Sequence, residues 1–478
     1  MPSPQKLKPT LGLWTSIAIV AGGVIGSGIF MKPAFMASQL GSPLWLVAVW
    51  IFAGVITLFG ALSNAEVAAM IPETGGQYIF FERMYGRFVA FLYGWSAFIV
   101  FNTAGVASVA YGFGTYLEYF IPLPRFGPGV EKAVEVYIPF IGSMYPLENI
   151  GVKSVTILVV LVLTWVSYRS TRSGGNLQVV FTALKIALLT LLVFGLFFSP
   201  KGSLTNLITP SASIHPQGWA FVGALVAAMS GAFWGYDGWN NITFIAGEIR
   251  EPQRNIPRSL FIGLLICIIT YTIITLSFLY VLPIDAMAQS GMVASDAAQV
   301  VMGTVGGGII AFMVIISIIG ATNGNILPVA RVFFAMGQQK QFFGWVGQVH
   351  PRYGTPGNAL VIQALWTVVL ILSGSFDMLT DMLIFVSWVF YGLSAFGIFV
   401  LRKKMAHVER PYQVWGYPIV PAVFVLFSTF FVVATLWMDI YNYAIGKTHL
   451  INSLLGIFLT ATGIPLYWLF RKRYGKSF

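Results

Sequence analysis

The sequence is poor in charged residues, and this scarcity excludes most soluble proteins. Asp, Glu, Lys and Arg make up 9% of the 478 residues, whereas a soluble globular protein has about 25%. Hydrophobic residues make up 57%, and the mean hydropathy is +0.81. So few charges cannot cover a surface that faces water. We therefore expect the chain to lie in a lipid bilayer, where apolar side chains face outward.

Cysteine is also scarce, which limits disulfide formation. The single cysteine, Cys267, lies inside an apolar run, so we expect neither an intrachain disulfide nor a disulfide-linked partner subunit. The four histidines lie in loops or at the edge of a run, and we expect no metal site and no cofactor.

The net charge is +11. Because the basic residues lie between apolar runs, they indicate membrane orientation and not nucleic-acid binding.

Twelve apolar runs are each long enough for a membrane-spanning helix of about 20 residues. The region 328–356 is less apolar, and we expect it to form short helices at the membrane interface. The sequence thus predicts an all-α membrane protein with twelve transmembrane helices. The runs lie at residues 12–37, 42–70, 88–121, 152–169, 175–199, 216–248, 259–282, 299–327, 357–375, 378–401, 416–438 and 450–470.

The basic residues between the runs predict the orientation of the chain. With the N-terminus in the cytoplasm, 20 of the 27 lysines and arginines fall on the inner side and one, Lys185, falls inside a span. An excess of basic residues marks the cytoplasmic side, so we expect both termini there. The outer side then holds six basic residues: Lys32, Arg125, Lys132, Lys153, Lys201 and Lys447.

Two glycine clusters lie in the interior of apolar runs, where a lipid-facing helix would carry Leu or Val. They cover residues 22–30 of the first run and 230–241 of the sixth. Each mixes glycine with polar residues, which predicts a helix that unwinds and offers backbone groups to a ligand. A half-helix N-terminus attracts an anion and a C-terminus a cation, so a broken helix suits a zwitterion. The other interpretation is a pair of glycine-rich packing faces.

The two clusters are five spans apart, and this odd number gives the two halves opposite orientations in the membrane. Broken helices at matching positions are typical of secondary transporters built from inverted repeats. We expect one repeat at residues 12–199, with helices 1–5, and a second at 216–401, with helices 6–10. Helices 11 and 12 would follow at 416–470.

Four charged residues within or near the spans are candidates for function. Lys185 follows Gly175 by ten residues, which places it about 15 Å into the bilayer. It either ties the fifth span to carbonyls of the first half-helix, carries a proton, or extends its ammonium to the membrane surface. Asp237 is an ion-coupling group, a ligand for a cationic substrate or a local backbone cap, and we favour the cap. Glu66 and Glu248 are expected at a cytoplasmic gate or interface.

Several motifs resemble those of the amino acid–polyamine–organocation superfamily, and together they cover nearly the whole chain. Within it, the chain is most similar to the bacterial branch of the L-type amino acid transporters. The motifs are Gly-Ser-Gly-Ile-Phe at 26–30, Pro-Glu-Thr-Gly-Gly at 72–76, Tyr-Asp-Gly-Trp-Asn at 236–240, Glu-Pro-Gln-Arg-Asn-Ile-Pro at 251–257, Ala-Arg at 330–331 leading to His-Pro at 350–351, and Phe-Thr-x-x-Lys at 181–185.

This resemblance implies a leucine-transporter-like fold and sodium-independent exchange of neutral L-amino acids across a bacterial plasma membrane. It also implies a chain without a heavy subunit, as a monomer or a weak oligomer. The substrate carboxylate would bind backbone amides, and its ammonium would bind carbonyls. Trp234 would close over the substrate, Asn240 would line the site or brace the unwound segment, and Lys185 would replace a sodium ion. The implied binding residues are Val24, Gly26, Ser27, Gly28, Ile29, Trp234, Asp237 and Asn240.

We interpret the protein as a transporter with no enzymatic activity, and the bulk of Trp234 favours small substrates such as Ala, Ser and Thr. Two rival transporters are a proton-coupled symporter that uses Lys185 and a carrier of cationic amino acids or amines that uses Asp237. A channel would leave the paired broken helices without a purpose. A membrane-embedded enzyme would need an acid–base cluster, a dyad or a metal, and the span interiors contain no histidine.

Overall fold

The computed structural model describes residues 11–73, 75–169 and 185–474. Three sequence predictions lie outside this part of the chain. They concern the N-terminal residues 1–10, Thr74 of the Pro-Glu-Thr-Gly-Gly motif, and residues 170–184, which include the start of the predicted fifth span.

Helices make up most of the described chain. They are α1 (Leu13–Val24), α2 (Gly28–Leu40), α3 (Pro43–Met70), α4 (Gln77–Tyr85), α5 (Arg87–Leu117, with a π-helical turn at Ala97–Phe101), α6 (Ile150–Arg169), α7 (Lys185–Phe197), α8 (Trp219–Tyr236), α9 (Pro252–Val281), α10 (Val293–Gln338), α11 (Gly357–Ser373), α12 (Phe376–Lys404), α13 (Ile419–Ala444), α14 (Asn452–Ala461) and α15 (Gly463–Tyr474).

Shorter elements fill the connections. Single helical turns occur at Pro128–Glu131, Leu204–Leu207, Asn241–Phe244, Ala246–Glu248, Ile284–Ala288 and Gly344–Gly347. Strands β1 (Val136–Ile138) and β2 (Gly142–Met144) form an antiparallel hairpin in which Val136 faces Met144. This hairpin is not predictable from the sequence, because three-residue strands leave no usable hydrophobic period.

Within the described residues, nine helices are long and apolar enough to cross a bilayer, and α1 and α2 together form a tenth span that is bent by 43°. Two shorter apolar helices, Lys185–Phe197 and Gly357–Ser373, coincide with further predicted spans. The prediction of a predominantly helical, multi-pass membrane protein is therefore confirmed.

Two predicted boundaries, those of the region 328–356 and of the seventh apolar run, are wrong. The region 328–356 does not consist only of short interfacial helices, because α10 continues to Gln338. Polar Arg331 is tolerated in this helix because it pairs with Glu248 at 3.5 Å. At its other end α10 kinks at Gly303, whose φ of 71° suits glycine. Helix α9 begins at Pro252 rather than 259, since proline fits the first turn of a helix.

Two of the lysines counted on the outer side, which lie within the first and fourth apolar runs, are buried in helices. Lys32, within α2, is 0% exposed. Its ammonium donates to the Asp377 carboxylate at 2.7 Å and to the Thr380 hydroxyl at 2.8 Å, so it joins α2 to α12. Lys153, within α6, is buried too, and its ammonium donates at 3.2 Å to each of three carbonyls, those of Tyr145, Pro146 and Leu372.

The helix packing places the breaks in the first and sixth spans inside the protein core. Helix α9 packs along α1 and α3, while α8 packs against α2 and α3. Near the C-terminal end of α3, Glu66 is 1% exposed and accepts hydrogen bonds from Arg402 at 2.9 and 2.8 Å and from the Val414 amide at 2.8 Å. This pairing fastens α3 to the end of α12.

The start of α1 is held to the end of the sixth span by the main chain alone. The Leu11 amide donates to the Glu248 carbonyl at 3.0 Å, and the Arg250 amide donates to the Leu11 carbonyl at 2.8 Å. These two bonds form a parallel bridge between Leu11 and Ile249. The bridge and the Glu248–Arg331 pair at 3.5 Å thus both involve the segment that follows the second glycine cluster.

Candidate functional site

The first predicted break lies where the sequence places it. Helix α1 ends at Val24 and α2 begins at Gly28, and Ile25 has a non-helical ψ of 88°. In an α-helix the amides of the first turn have no partner inside the helix. Among the hydrogen bonds of the described residues, none uses the amide of Ser27, Gly28 or Ile29 as donor. These amides are therefore available to a ligand at the positive end of the α2 dipole.

The second predicted break follows α8. The helix ends at Tyr236, Asp237 is extended with ψ of 154°, and Gly238 has a φ of 93°. Glycine tolerates this left-handed conformation without strain. The chain then resumes a single helical turn at Asn241–Phe244. The prediction that glycine and polar residues interrupt this helix is confirmed.

Glycines bring the two breaks into direct contact. A Cβ atom added to Gly28 would lie 2.7 Å from the Gly235 Cα, and one added to Gly238 would lie 3.3 Å from the Gly23 carbonyl oxygen. The backbones of the two broken spans therefore approach at two levels, one on each side of the unwound segments. A methyl group at Gly28 would force them apart.

Tyr271 of α9 links carbonyl groups of the two breaks. Its hydroxyl lies 2.8 Å from the carbonyl oxygens of both Val24 and Gly235. A hydroxyl carries one proton and therefore donates to one carbonyl at a time. The other carbonyl keeps its lone pairs free for a donor such as an ammonium group.

Lys185 reaches the first break from α7. Its buried ammonium donates to the Ile25 carbonyl at 2.5 Å. The residue sits beside the last carbonyls of α1, where the helix dipole is negative and favours a positive charge. The alternative that this side chain extends to the membrane surface is wrong, because the ammonium points into the protein.

A cavity of about 70 Å³ lies between the two breaks, α5 and α10. Pockets for drug-sized ligands measure roughly 300–1,000 Å³, so this cavity suits only a small molecule. Of the predicted binding residues, six line it: Val24, Gly26, Ser27, Gly28, Trp234 and Asp237. The cavity is also lined by Gly23, Phe101, Asn102, Gly105, Val106, Val109, Gly238, Asn241, Ala321, Asn325 and Val329.

Two predicted binding residues do not line the cavity. Ile29 is fully buried within α2. Asn240 is buried too, and its side-chain amide donates to Gln77 at 2.8 Å, which ties the unwound segment to α4. Of the two roles expected for Asn240, the bracing one agrees with this geometry. Its neighbour Asn241 lines the cavity instead.

The carboxylate of Asp237 faces a tyrosine. The Tyr391 hydroxyl of α12 donates to one carboxylate oxygen at 2.7 Å. The backbone amide of Asp237 donates to the Trp234 carbonyl at 3.2 Å. The Trp234 carbonyl thus already has one donor.

Three buried polar atoms at the cavity have no hydrogen-bond partner among the described residues. They are the Ser27 hydroxyl, the Asn102 side-chain nitrogen and the Trp234 indole nitrogen. Buried polar groups are rarely left unpaired, so their position beside the cavity points to a polar ligand. Asn102 and Asn325 were not predicted to line the site; the only signal in the sequence was an asparagine inside an apolar run.

Paired unwound helices that meet at an enclosed small-molecule site are typical of secondary transporters. The sequence matches the family described as "Amino acid permease" over residues 11–460, and the chain belongs to this family. It is thus a membrane transporter and not an enzyme, as the sequence analysis predicted.

Similar proteins come from bacteria and mammals. The chain is 30% identical to the serine/threonine exchanger SteT of Bacillus subtilis (strain 168), with 98% of each chain covered. It is 29% identical to the mouse large neutral amino acids transporter small subunit 2, covering 97% of this chain and 81% of the relative. It is also 29% identical to the human b(0,+)-type amino acid transporter 1, covering 91% and 84%. The predicted likeness to L-type transporters of the superfamily is confirmed.

Proposed function

We propose that the protein exchanges neutral L-amino acids with small side chains, without sodium, at the cavity between the two broken helices. The observation that carries this proposal is the juxtaposition of free amides and carbonyls around about 70 Å³ of space. The α-carboxylate would bind the amides of Ser27 and Gly28. The α-ammonium would bind the Val24 carbonyl, which lines the cavity, while the Tyr271 hydroxyl donates to the Gly235 carbonyl.

The built-in ammonium of Lys185 supports exchange without sodium. A cation that coordinates the last carbonyls of α1 would stabilise the break, and Lys185 already donates to the Ile25 carbonyl. Because the lysine is part of the chain, it cannot leave with the substrate as a sodium ion would. The size of the cavity supports small side chains, and the name of the bacterial relative points to serine and threonine.

The proposal includes the architecture that alternating access requires. We propose twelve spans, with inverted repeats at residues 12–199 and 216–401 followed by helices 11 and 12 at 416–470. Both termini would lie in the cytoplasm, and the protein would reside in the bacterial plasma membrane as a monomer or weak oligomer. Cys267 is a fully buried free thiol, so it does not provide a disulfide to a partner subunit.

Uptake into proteoliposomes tests the proposal. Labelled serine, alanine and leucine are offered to vesicles that are either loaded with unlabelled serine or empty, without sodium and without a pH gradient. We expect uptake only into loaded vesicles, with serine and alanine preferred over leucine. Equal uptake into empty vesicles that increases with an inward proton gradient would refute exchange and favour proton symport.

A matched pair of variants locates the site. Val109→Leu adds bulk inside the cavity, whereas Val423→Leu makes the same change on an exposed position of α13. We expect Val109→Leu to reduce exchange of threonine more than exchange of alanine, and Val423→Leu to leave both unchanged. If both variants behave alike, the cavity is not the substrate site.

The position of Asp237 on the cavity wall supports a second candidate function, transport of cationic amino acids or amines. Its carboxylate would pair with the cationic end of such a substrate. Competition by arginine or putrescine against labelled serine separates the two candidates. Strong competition that disappears in Asp237→Asn would favour the cationic carrier, and an absence of competition would favour neutral exchange.

A further inference from the structure

A second cavity, of about 660 Å³, lies at the other end of the molecule from the β-hairpin, where α9 begins. Leu62 of α3 and the connection between α12 and α13, with Pro411, Tyr412 and Trp415, complete its wall. Two arginines, Arg254 and Arg258, line it, and among the described residues that do so none is acidic. The proposed transport site does not involve this cavity.

The charge of this cavity is only weakly compensated. Arg254 pairs with Glu251 at 3.7 Å, but both side chains are about 70% exposed, and such surface pairs contribute little. Arg258 forms no ion pair within the described chain. The cavity therefore presents a net positive charge that suits an anion.

Neutral hydrogen-bond donors accompany the two arginines. The side chain of Gln253 lines the cavity, as does Tyr412 from the connection. Burial raises the pKa of the Tyr412 hydroxyl to about 12, so the group keeps its proton at neutral pH and can donate to an anion. Arginine guanidinium groups together with neutral donors match the oxygen atoms of a phosphate group.

The cavity continues into an exposed apolar surface of α9. Phe261 lines the cavity and is 44% exposed, and Leu265, Ile269 and Ile273 follow at four-residue spacing with exposed side chains. Residues four apart form one row along a helix. From Phe261 to Ile273 the row extends about 18 Å, which is close to one leaflet of a hydrocarbon core about 30 Å thick.

We propose that this cavity binds the headgroup of an anionic phospholipid, with an acyl chain along the row from Phe261 to Ile273. The guanidinium groups of Arg254 and Arg258 bind the phosphate. Trp415, which is 77% exposed at the rim, lies at headgroup level, where tryptophan is commonly found. The adjoining apolar row distinguishes a lipid from a free phosphate ion, which would gain nothing from it.

Native mass spectrometry of the purified full-length protein tests the proposal, with phosphatidylglycerol as the probe. A basic residue near an anionic headgroup contributes roughly a five-fold factor in binding. We expect Arg254→Gln with Arg258→Gln to weaken phosphatidylglycerol binding about 25-fold. Lys403→Gln removes an exposed charge at the end of α12, outside the cavity, and should leave binding unchanged. Arg254→Lys with Arg258→Lys should retain most of the binding.

Competing ligands distinguish the remaining outcomes. Neither phosphatidylcholine nor inorganic phosphate should displace phosphatidylglycerol at equal concentration. Equal binding by wild type and the double Gln variant would overturn the proposal. Equally tight binding of phosphatidylcholine would show that charge is not recognised, and full displacement by inorganic phosphate would show that the lipid chain plays no part; either result also overturns it. Thermal unfolding of each variant identifies a loss of binding that is caused by misfolding. If the double Gln variant is misfolded, the double Lys variant is used in its place, and a folded double Lys variant that no longer binds phosphatidylglycerol would overturn the proposal.

Discussion

Replacing Lys185 by methionine tests the proposed role of the buried ammonium. Methionine keeps an unbranched apolar side chain but removes the donor to the Ile25 carbonyl. The carbonyl would remain buried at the break between α1 and α2, with a negative dipole end and no compensating charge. We expect the variant to fold and to reach the membrane, but to exchange amino acids slowly.

The size of the effect follows from the lost bond. A hydrogen bond that involves a charged group contributes about 1.5–3 kcal/mol. If this whole free energy is added to the activation barrier of the transport step, the exchange rate falls roughly 10- to 150-fold. The break must rearrange around each substrate, so we expect the loss in the turnover rate as well as in the apparent affinity.

The assay is serine exchange into proteoliposomes, normalised to the amount of reconstituted protein. Lys153→Met is the matched control, because Lys153 is also a buried lysine that donates to backbone carbonyls, but it lies outside the site. The reasoning fails if Lys185→Met exchanges at the wild-type rate. It also fails if Lys153→Met lowers the rate of exchange by the same factor, since a general packing defect would then explain both.

Three further predictions concern packing and charge. Gly28→Ala should reduce exchange at least ten-fold, because its methyl group would collide with the opposite backbone; Gly195→Ala, which meets no atom within 4 Å, is the control in the same uptake assay. Glu66→Gln should lower the thermal unfolding midpoint, since breaking a buried ion pair costs about 3–5 kcal/mol. Glu73→Gln alters an exposed ion pair and should leave the midpoint unchanged. Equal shifts of the midpoint in the two variants would contradict the expected role of the buried pair. Asp237→Asn should retain neutral exchange within about three-fold if the residue braces the backbone, because asparagine still accepts a hydrogen bond; a complete loss of serine exchange would exclude that role.

The breaks were predictable because their cause is local. Glycine and serine at 26–28 and the Asp-Gly pair at 237–238 interrupt apolar runs, and a buried unwound segment needs a ligand whatever surrounds it. The same locality explains why the multi-pass helical character could be predicted from hydropathy alone. Lys185 was recognisable for a similar reason, since a charge that deep in a span requires a partner inside the protein.

The details that were missed depend on contacts between distant parts of the chain. The ion pair of Lys32 was not predicted, because its partner Asp377 is 345 positions away. Asn102 and Asn325 line the cavity, but nothing in the adjacent sequence shows which face of its helix each residue occupies. The continuation of α10 past residue 327 places Arg331 3.5 Å from Glu248, a contact that hydropathy does not reveal.

Two contacts that hold the broken spans to the rest of the protein use different kinds of bond. Leu11, before α1, is fastened by main-chain hydrogen bonds to residues 248 and 250, and nearly every amino acid supplies the same amide and carbonyl groups. Helices α2 and α12 are joined through the side chains of Lys32 and Asp377, which few substitutions preserve. During evolutionary drift, Leu11 and Arg250 therefore accept many replacements other than proline without losing the bridge, whereas Lys32 and Asp377 must change together or stay the same.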